Sequence, residues 1–117
     1  MGKIVKFDYM FKDTVLSHVV FDTGNQTVTC EELNHDLTLQ FFGKMDHTVD
    51  NLMKVFEMRC FDRNRYDAKE ILDYLELPEY SPYHICLKTH GASTQDYMWI
   101  RWDGEALTWD DVKLRFN

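Results

Sequence analysis

The first thirty residues contain three segments in which apolar and polar side chains alternate, and this pattern restricts the fold more than any other feature. The segments read KIVKFDYMF, TVLSHVVFD and QTVTC, separated by the short polar stretches KD and TGN. A period of two is typical of strands that bury one face, and β-branched and aromatic residues favour strands. Polar links of this length close hairpins. The pattern therefore predicts a three-stranded antiparallel meander.

The second segment indicates which face of this meander enters the core. Its odd positions share one side of the strand and are Val15, Ser17, Val19 and Phe21. Its even positions place His18 and Asp22 on the other side, together with Leu16 and Val20. Because a strand directs alternate side chains to opposite faces, we expect the odd face to pack against the core.

From about residue 34 the apolar residues recur at helical spacing, and each segment carries start or stop signals. The start signals are Thr48, Asp67 with Glu70, and Ser81 with Pro82; the stop signals are Gly43, Pro78 and Gly91. The segments DLTLQFF, VDNLMKVFEMRCF, AKEILDYLEL and YHICLKTH lie between these signals. They predict three helices after a short apolar turn.

The three tryptophans lie near the end of the chain, in DYMWIRWDGEALTW. The alternating part predicts a strand with Trp99 and Trp102 on opposite faces, and DG predicts a turn after it. Thr108 then begins a short helix, WDDVKLRF. We expect Trp99 and Trp109 to anchor the core and Trp102 to be partly exposed at a protein interface.

Together these elements predict one α+β domain covering residues 1–117. Its sheet contains the N-terminal three-stranded meander and the C-terminal strand, and three or four helices pack on one face. A chain of 117 residues has the usual length of one domain.

The charge balance favours a protein partner over a nucleic acid. The chain carries 20 acidic and 13 basic residues, a formal net charge of −7. Carboxylates repel a phosphate backbone, so direct nucleic-acid binding is disfavoured and a larger basic protein is expected. No apolar run has the length of a signal peptide or membrane span, which predicts a cytoplasmic protein without a membrane partner. Homo-oligomer formation stays open.

The spacing of cysteines and histidines argues against metal and thiol chemistry. Cys30, Cys60 and Cys86 are far apart, which disfavours a disulfide framework and favours a reducing compartment. His84 and Cys86 lie two apart on a predicted helix and point in different directions. We therefore predict no metal, no cofactor and no catalytic site. The alternative is a small enzyme that uses Cys60, Cys86, or the Asp110 and Asp111 pair.

Two charged groups are candidate partner-binding residues. The acidic group recurs every three residues and comprises Asp67, Glu70, Asp73, Glu76 and Glu79. It is either a solvated helix face or a docking surface for a basic partner. The basic group, Arg59, Arg63 and Arg65, either binds carboxylates or phosphate or pairs within the chain. For Arg59 we favour internal pairing. The predicted interface comprises Trp102, Arg63, Arg65, Glu70, Asp73 and Glu76.

The stretches RCFDRNRYDAKEILDYLEL, HGASTQDYMWI and LTWDDVK resemble a segment of bacterial HipA-like proteins and of their small stand-alone relatives found with mobile elements. The matching residues are Arg59, Arg65, Gly91, Ser93, Asp96, Trp99, Ile100, Leu107, Trp109, Asp111 and Val112. The resemblance covers residues 59–113, about half the chain. It departs where FD replaces a proline after the first arginine and where Lys113 replaces an asparagine.

The resemblance implies an accessory or regulatory module, because the kinase machinery of full-length HipA-like proteins has no counterpart here. The leading hypothesis is a non-enzymatic protein-binding module from a phage or mobile element. Such a module binds and inhibits or regulates a larger protein, as an anti-CRISPR-like inhibitor does. The alternative from the same resemblance is an antitoxin-like regulator of a HipA-like kinase.

Overall fold

The structure is a computed structural model that describes residues 2–92 and 96–112. Four antiparallel strands form one sheet: β1 (Ile4–Phe11), β2 (Thr14–Asp22), β3 (Thr27–Glu32) and β4 (Met98–Trp102). Their order is β3-β2-β1-β4, so the C-terminal strand pairs with β1 and extends the N-terminal meander. This arrangement confirms the predicted α+β fold.

Four α-helices accompany the sheet in the described residues: α1 (Val49–Met58), α2 (Ala68–Tyr74), α3 (Pro82–Thr89) and α4 (Trp109–Val112). A single 3₁₀ turn, Leu37–Leu39, occupies the apolar segment before Gly43. No described helix combines the length and the apolar character needed to cross a bilayer. The remainder of the predicted last helix, together with Ser93 and Lys113, lies outside the described residues.

The main core lies on the sheet face that α1 and α3 cover. Alternate strand residues reach it, so Phe7 and Tyr9 of β1 lie beside Val19 and Phe21 of β2. The helices contribute Leu52, Val55, Phe56 and Cys86. The loop before α1 adds Phe41 and Phe42. Aromatic rings dominate this core and hold the loop, the sheet and α1 together.

A β-bulge changes the sheet face to which the side chains at the start of β2 point. Tyr9 pairs with Ser17 but Met10 pairs with Val15, so Leu16 is the extra residue. Leu16 joins the main core, while Val15 packs against a second cluster. The predicted core face is therefore confirmed for Ser17, Val19 and Phe21, all buried, and wrong for Val15.

The second cluster lies on the opposite face of the sheet. Met10, Trp99 and Val112 form it, with Trp109 packed against it. Trp99 is fully buried, and its Nε1 donates to the Lys12 carbonyl oxygen at 2.6 Å. Since Val112 belongs to α4, the last helix covers this face, away from α1 and α3. The expectation that Trp99 anchors packed structure is confirmed.

Trp102 corrects our expectation of exposure. Its side chain is only 8% exposed and belongs to the main core. Its ring lies 5.1 Å from Phe7 and 6.0 Å from Phe56, measured between centroids. Its Nε1 donates to the Cys86 carbonyl oxygen at 3.1 Å. Because Trp102 and Trp99 occupy different sheet faces, each is buried in its own cluster. Trp102 is not a surface residue.

The helix start signals act in different ways. Thr48 caps α1 as predicted, since its Oγ1 accepts from the Asn51 backbone N–H at 3.2 Å. Asp67 precedes α2 without a side-chain cap, because its carboxylate accepts from Arg65. Ser81 precedes α3, but its hydroxyl contacts Nδ1 of His84 at 2.8 Å.

The end of α2 is set by backbone geometry before Pro78. Glu76 has a φ of 61°, and its N–H donates to the Asp73 carbonyl oxygen. The Leu77 N–H donates to the Leu72 carbonyl oxygen at 2.9 Å. These two bonds form a Schellman motif, in which glycine usually occupies the left-handed position that Glu76 has here.

Candidate functional site

The α2 surface is the part of the described chain that best matches the predicted interface. We define it as Tyr66, Glu70, Asp73, Tyr74 and Glu76, all of which are exposed. Residues three and four apart on a helix share a face, which places Glu70, Asp73 and Tyr74 together. Tyr66 and Tyr74 are 93% and 77% exposed, which is unusual for aromatic side chains. The surface therefore combines carboxylates with large apolar area.

The opposite side of α2 contacts the protein only shallowly. Leu75 is buried, whereas Ile71 and Leu72 are half-buried. The predicted amphipathic pattern is present, because the acidic residues face solvent and the apolar residues face inward. Half-burial means that α2 adds less to the core than α1, whose Leu52 and Phe56 are fully buried.

A groove of about 690 Å³ is lined mainly by residues that come before α2 in the chain, and Arg63 is one of them. Residues from the end of α1, the loop at 60–64 and Tyr80 line it. The Arg63 guanidinium carbon lies 4.7 Å from the centroid of the Tyr80 ring. Its NH2 atom is 3.8 Å from the Glu57 carboxylate, a long and exposed ion pair. Arg63 therefore lies on the groove wall with its charge open to solvent.

Tyr80 forms part of the wall of this groove. Its hydroxyl donates to the Phe61 carbonyl oxygen at 2.6 Å. Burial, together with the nearby Cys60 and Glu57, raises the pKa of Tyr80 to about 12. The phenol therefore keeps its proton and its hydrogen bond at neutral pH.

The other two arginines pair within the chain. Nε of Arg65 donates to Asp67 at 2.5 Å, as the internal interpretation of this group predicted. Arg59 donates through both guanidinium NH groups to Asp96, at 2.7 and 2.9 Å. It also donates to the carbonyl oxygens of Gly91 and Met98. Arg59 thus links α1 to both ends of the segment between α3 and β4.

Asp96 completes this network as the partly buried partner that sequence spacing did not reveal. Burial raises its pKa, but the hydrogen bond and charge of Arg59 outweigh burial, and the net effect lowers it. Arg59, Gly91 and Asp96 are all residues of the HipA-like pattern. Their contacts show a structural use for these matching positions.

The thiols considered for catalysis lie close together in the core. Sγ of Cys60 is 3.9 Å from Sγ of Cys86. The hydrogen bond from Cys60 and burial raise the pKa of Cys86 well above its usual value, so this thiol stays protonated. A protonated, buried thiol is a poor nucleophile.

One member of the carboxylate pair at the start of α4, Asp111, acts in helix capping. Oδ2 of Asp111 accepts from the Thr108 backbone N–H at 2.8 Å and from its hydroxyl at 3.0 Å. These two bonds match the capping explanation for Asp111.

A buried imidazole joins α3 to the turn after β4. Nε2 of His90 donates to the Glu105 carboxylate at 2.9 Å, and that carboxylate accepts from the Trp102 backbone N–H. Nδ1 of His90 has no hydrogen-bond partner among the described residues. The pair is fifteen residues apart, which is too far for a local motif to indicate.

One group of metal-ligand side chains meets within residues 2–92 and 96–112: Cys30, Glu32 and His47. Their ligand atoms all lie within 4.8 Å of one another. Sequence spacing did not indicate this group, because His47 lies in the loop before α1, far along the chain from Cys30 and Glu32 of β3. Burial and a hydrogen bond to Glu32 raise the pKa of the Cys30 thiol.

No match was found when the chain was compared with protein-family models, with curated proteins and with solved structures. The resemblance to HipA-like proteins therefore stays a prediction. What the site can do follows from its own geometry.

Proposed function

We propose that this protein is a non-enzymatic module that binds a larger basic protein through the α2 surface and thereby inhibits or regulates it. The observation that carries the proposal is the exposure of two tyrosines and three carboxylates on a short helix with few core contacts and in the residues that flank it. Tyrosine supplies a large contact area with little conformational entropy, and it is enriched at binding hot spots.

Charge favours a basic occupant of this surface. The chain carries seven more acidic than basic residues, and Glu70, Asp73 and Glu76 lie within a short helix and its exit. Complementary charges speed association and exclude acidic partners, while the tyrosines contribute contact area that salt does not screen. Arg63 lies outside the α2 surface and in the groove, and it contributes a cation at the rim.

In its narrower form, the proposal makes the protein a cytoplasmic inhibitor of a bacterial defence protein, carried by a phage or mobile element. The HipA-like kinase is the alternative partner. This alternative rests on the resemblance to HipA-like proteins. Three of the matching residues, Arg59, Gly91 and Asp96, are linked by hydrogen bonds inside the chain. The identity of the captured partner distinguishes the two forms.

The test captures partners on the tagged full chain from bacterial lysate, followed by binding measurements with the purified partner. One variant combines Glu70→Lys, Asp73→Lys and Glu76→Lys. The matched control combines Glu31→Lys, Asp46→Lys and Asp103→Lys, which changes net charge equally at exposed positions away from α2.

We expect a basic partner that both the natural chain and the control bind and that the α2 variant loses. Affinity should also fall as salt rises. Tyr74→Ala should weaken binding by at least about 2 kcal/mol, the usual size of a hot-spot effect. Equal binding by the two charge variants, or equal loss in both, would falsify the α2 surface as the interface.

A further inference from the structure

We propose that Cys30, Glu32 and His47 bind one Zn²⁺ ion, with a water molecule as the fourth ligand. Thiolate, imidazole and carboxylate are the three protein ligands that zinc uses, and soft thiolate disfavours Mg²⁺ and Ca²⁺. Three protein ligands and one open position are typical of zinc sites that keep a water. This proposal is independent of partner binding at α2.

The geometry needs only small side-chain movements to hold the ion. Ligand atoms around tetrahedral zinc lie roughly 3.3–3.7 Å apart, given bonds of about 2.0–2.3 Å. Here all three atoms lie within 4.8 Å of one another. Cys30 and Glu32 are two apart on the edge strand β3 and therefore project from the same face. His47 reaches the same place from the loop before α1.

Neighbouring residues hold two of the ligands in position. Oε2 of Glu32 accepts from the Ser17 hydroxyl at 2.7 Å, and Ser17 is fully buried. The His47 ring stacks on the buried Phe42 ring, with centroids 4.7 Å apart and planes 26° apart. Supporting contacts of this kind orient metal ligands and strengthen binding.

Zinc would replace the proton that now joins the thiol to the carboxylate. Sγ of Cys30 donates to Oε1 of Glu32 at 2.7 Å. On binding, the S–H bond breaks, the proton passes to solvent, and the sulfur and carboxylate oxygen bind the metal. Glu32 keeps its bond from Ser17, so one carboxylate links the ion to a buried residue of β2.

The experiment measures binding of zinc chloride to the reduced full chain by calorimetry and by competition with a chelator. We expect one zinc per chain. Cys30→Ala and His47→Ala should each weaken affinity at least about 100-fold, and Ser17→Ala about 10-fold, as the loss of a supporting contact does. Cobalt(II) should show a thiolate charge-transfer band that Cys30→Ala abolishes.

The controls are His35→Ala, which removes a second exposed histidine, and Cys60→Ser, which removes a thiol of the separate Cys60–Cys86 pair. Both should bind zinc within about twofold of the natural chain, as substitutions outside the ligand shells do. His47→Ala removes the stacking on Phe42 at an exposed position, so this variant should stay folded and melt within a few degrees of the natural metal-free chain. Failure to bind zinc, unchanged affinity in His47→Ala, or loss in Cys60→Ser with retention in Cys30→Ala would each overturn the assignment.

Discussion

The main core and the α2 surface use aromatic side chains in opposite ways. In the core, Trp102 packs against Phe7 and Phe56 and is almost completely buried. On the α2 surface, Tyr66 and Tyr74 extend into solvent. Both regions have amphipathic patterns, but only the sheet has helices and a loop packed over it. Stability should therefore reside in the sheet, while α2 can change with little loss.

Replacing a core aromatic should have the largest effect. Trp102→Ala leaves a large cavity and removes the donor to the Cys86 carbonyl oxygen, so it should destabilise the fold by about 3–5 kcal/mol. Tyr66→Ala is the matched control and should change stability by less than about 0.5 kcal/mol. Urea unfolding of both variants measures the difference. Similar losses in the two would break the distinction between core and surface.

The Arg59 network should show an intermediate effect. Arg59→Met keeps the apolar stem but removes the donors to Asp96 and two carbonyl oxygens. Removing one partner of a buried pair costs about 3–5 kcal/mol, and partial exposure of Asp96 reduces this to about 2–3 kcal/mol. Arg65→Met, which breaks the exposed pair with Asp67, should cost less than about 1 kcal/mol. Equal losses of stability in the two variants would show that the Arg59 network contributes no more than an exposed ion pair.

Acid should weaken the Arg59 network in a defined direction. The native pKa of Asp96 is lowered, so its pairing stabilises the fold above the unfolded carboxyl value of about 3.9. That contribution is lost as pH falls from this value through the native pKa. The stability difference between the natural chain and Arg59→Met, measured at pH 7 and near pH 3, should therefore shrink in acid. A constant difference would exclude this linkage.

The smallest effect should be a gain in stability at the end of α2. Glu76 adopts a left-handed conformation that glycine adopts without steric cost. Glu76→Gly should therefore stabilise the fold by about 0.5–1 kcal/mol, while Glu79→Gly, at an exposed position nearby without positive φ, should not. Thermal melting compares the two. A loss of stability in Glu76→Gly would show that side-chain contacts of Glu76 outweigh backbone strain.

The sequence by itself determined those features that depend on neighbours a few residues away. Alternation predicted the strands, and the pairing of β4 with β1 in one sheet confirmed the α+β fold. Thr48 predicted the start of α1, and helical spacing predicted that Glu70 and Asp73 face solvent. These features follow from backbone periodicity and capping, which act locally.

Only the tertiary structure decided which surfaces are covered and which distant side chains meet. The burial of Trp102 depends on α1 and α3 lying over the same sheet face, and the displacement of Val15 depends on a bulge in strand pairing. Arg59 meets Asp96 across 37 residues, and His47 approaches β3 from another element. No local period records such contacts, because they form only when separate parts of the chain pack against each other.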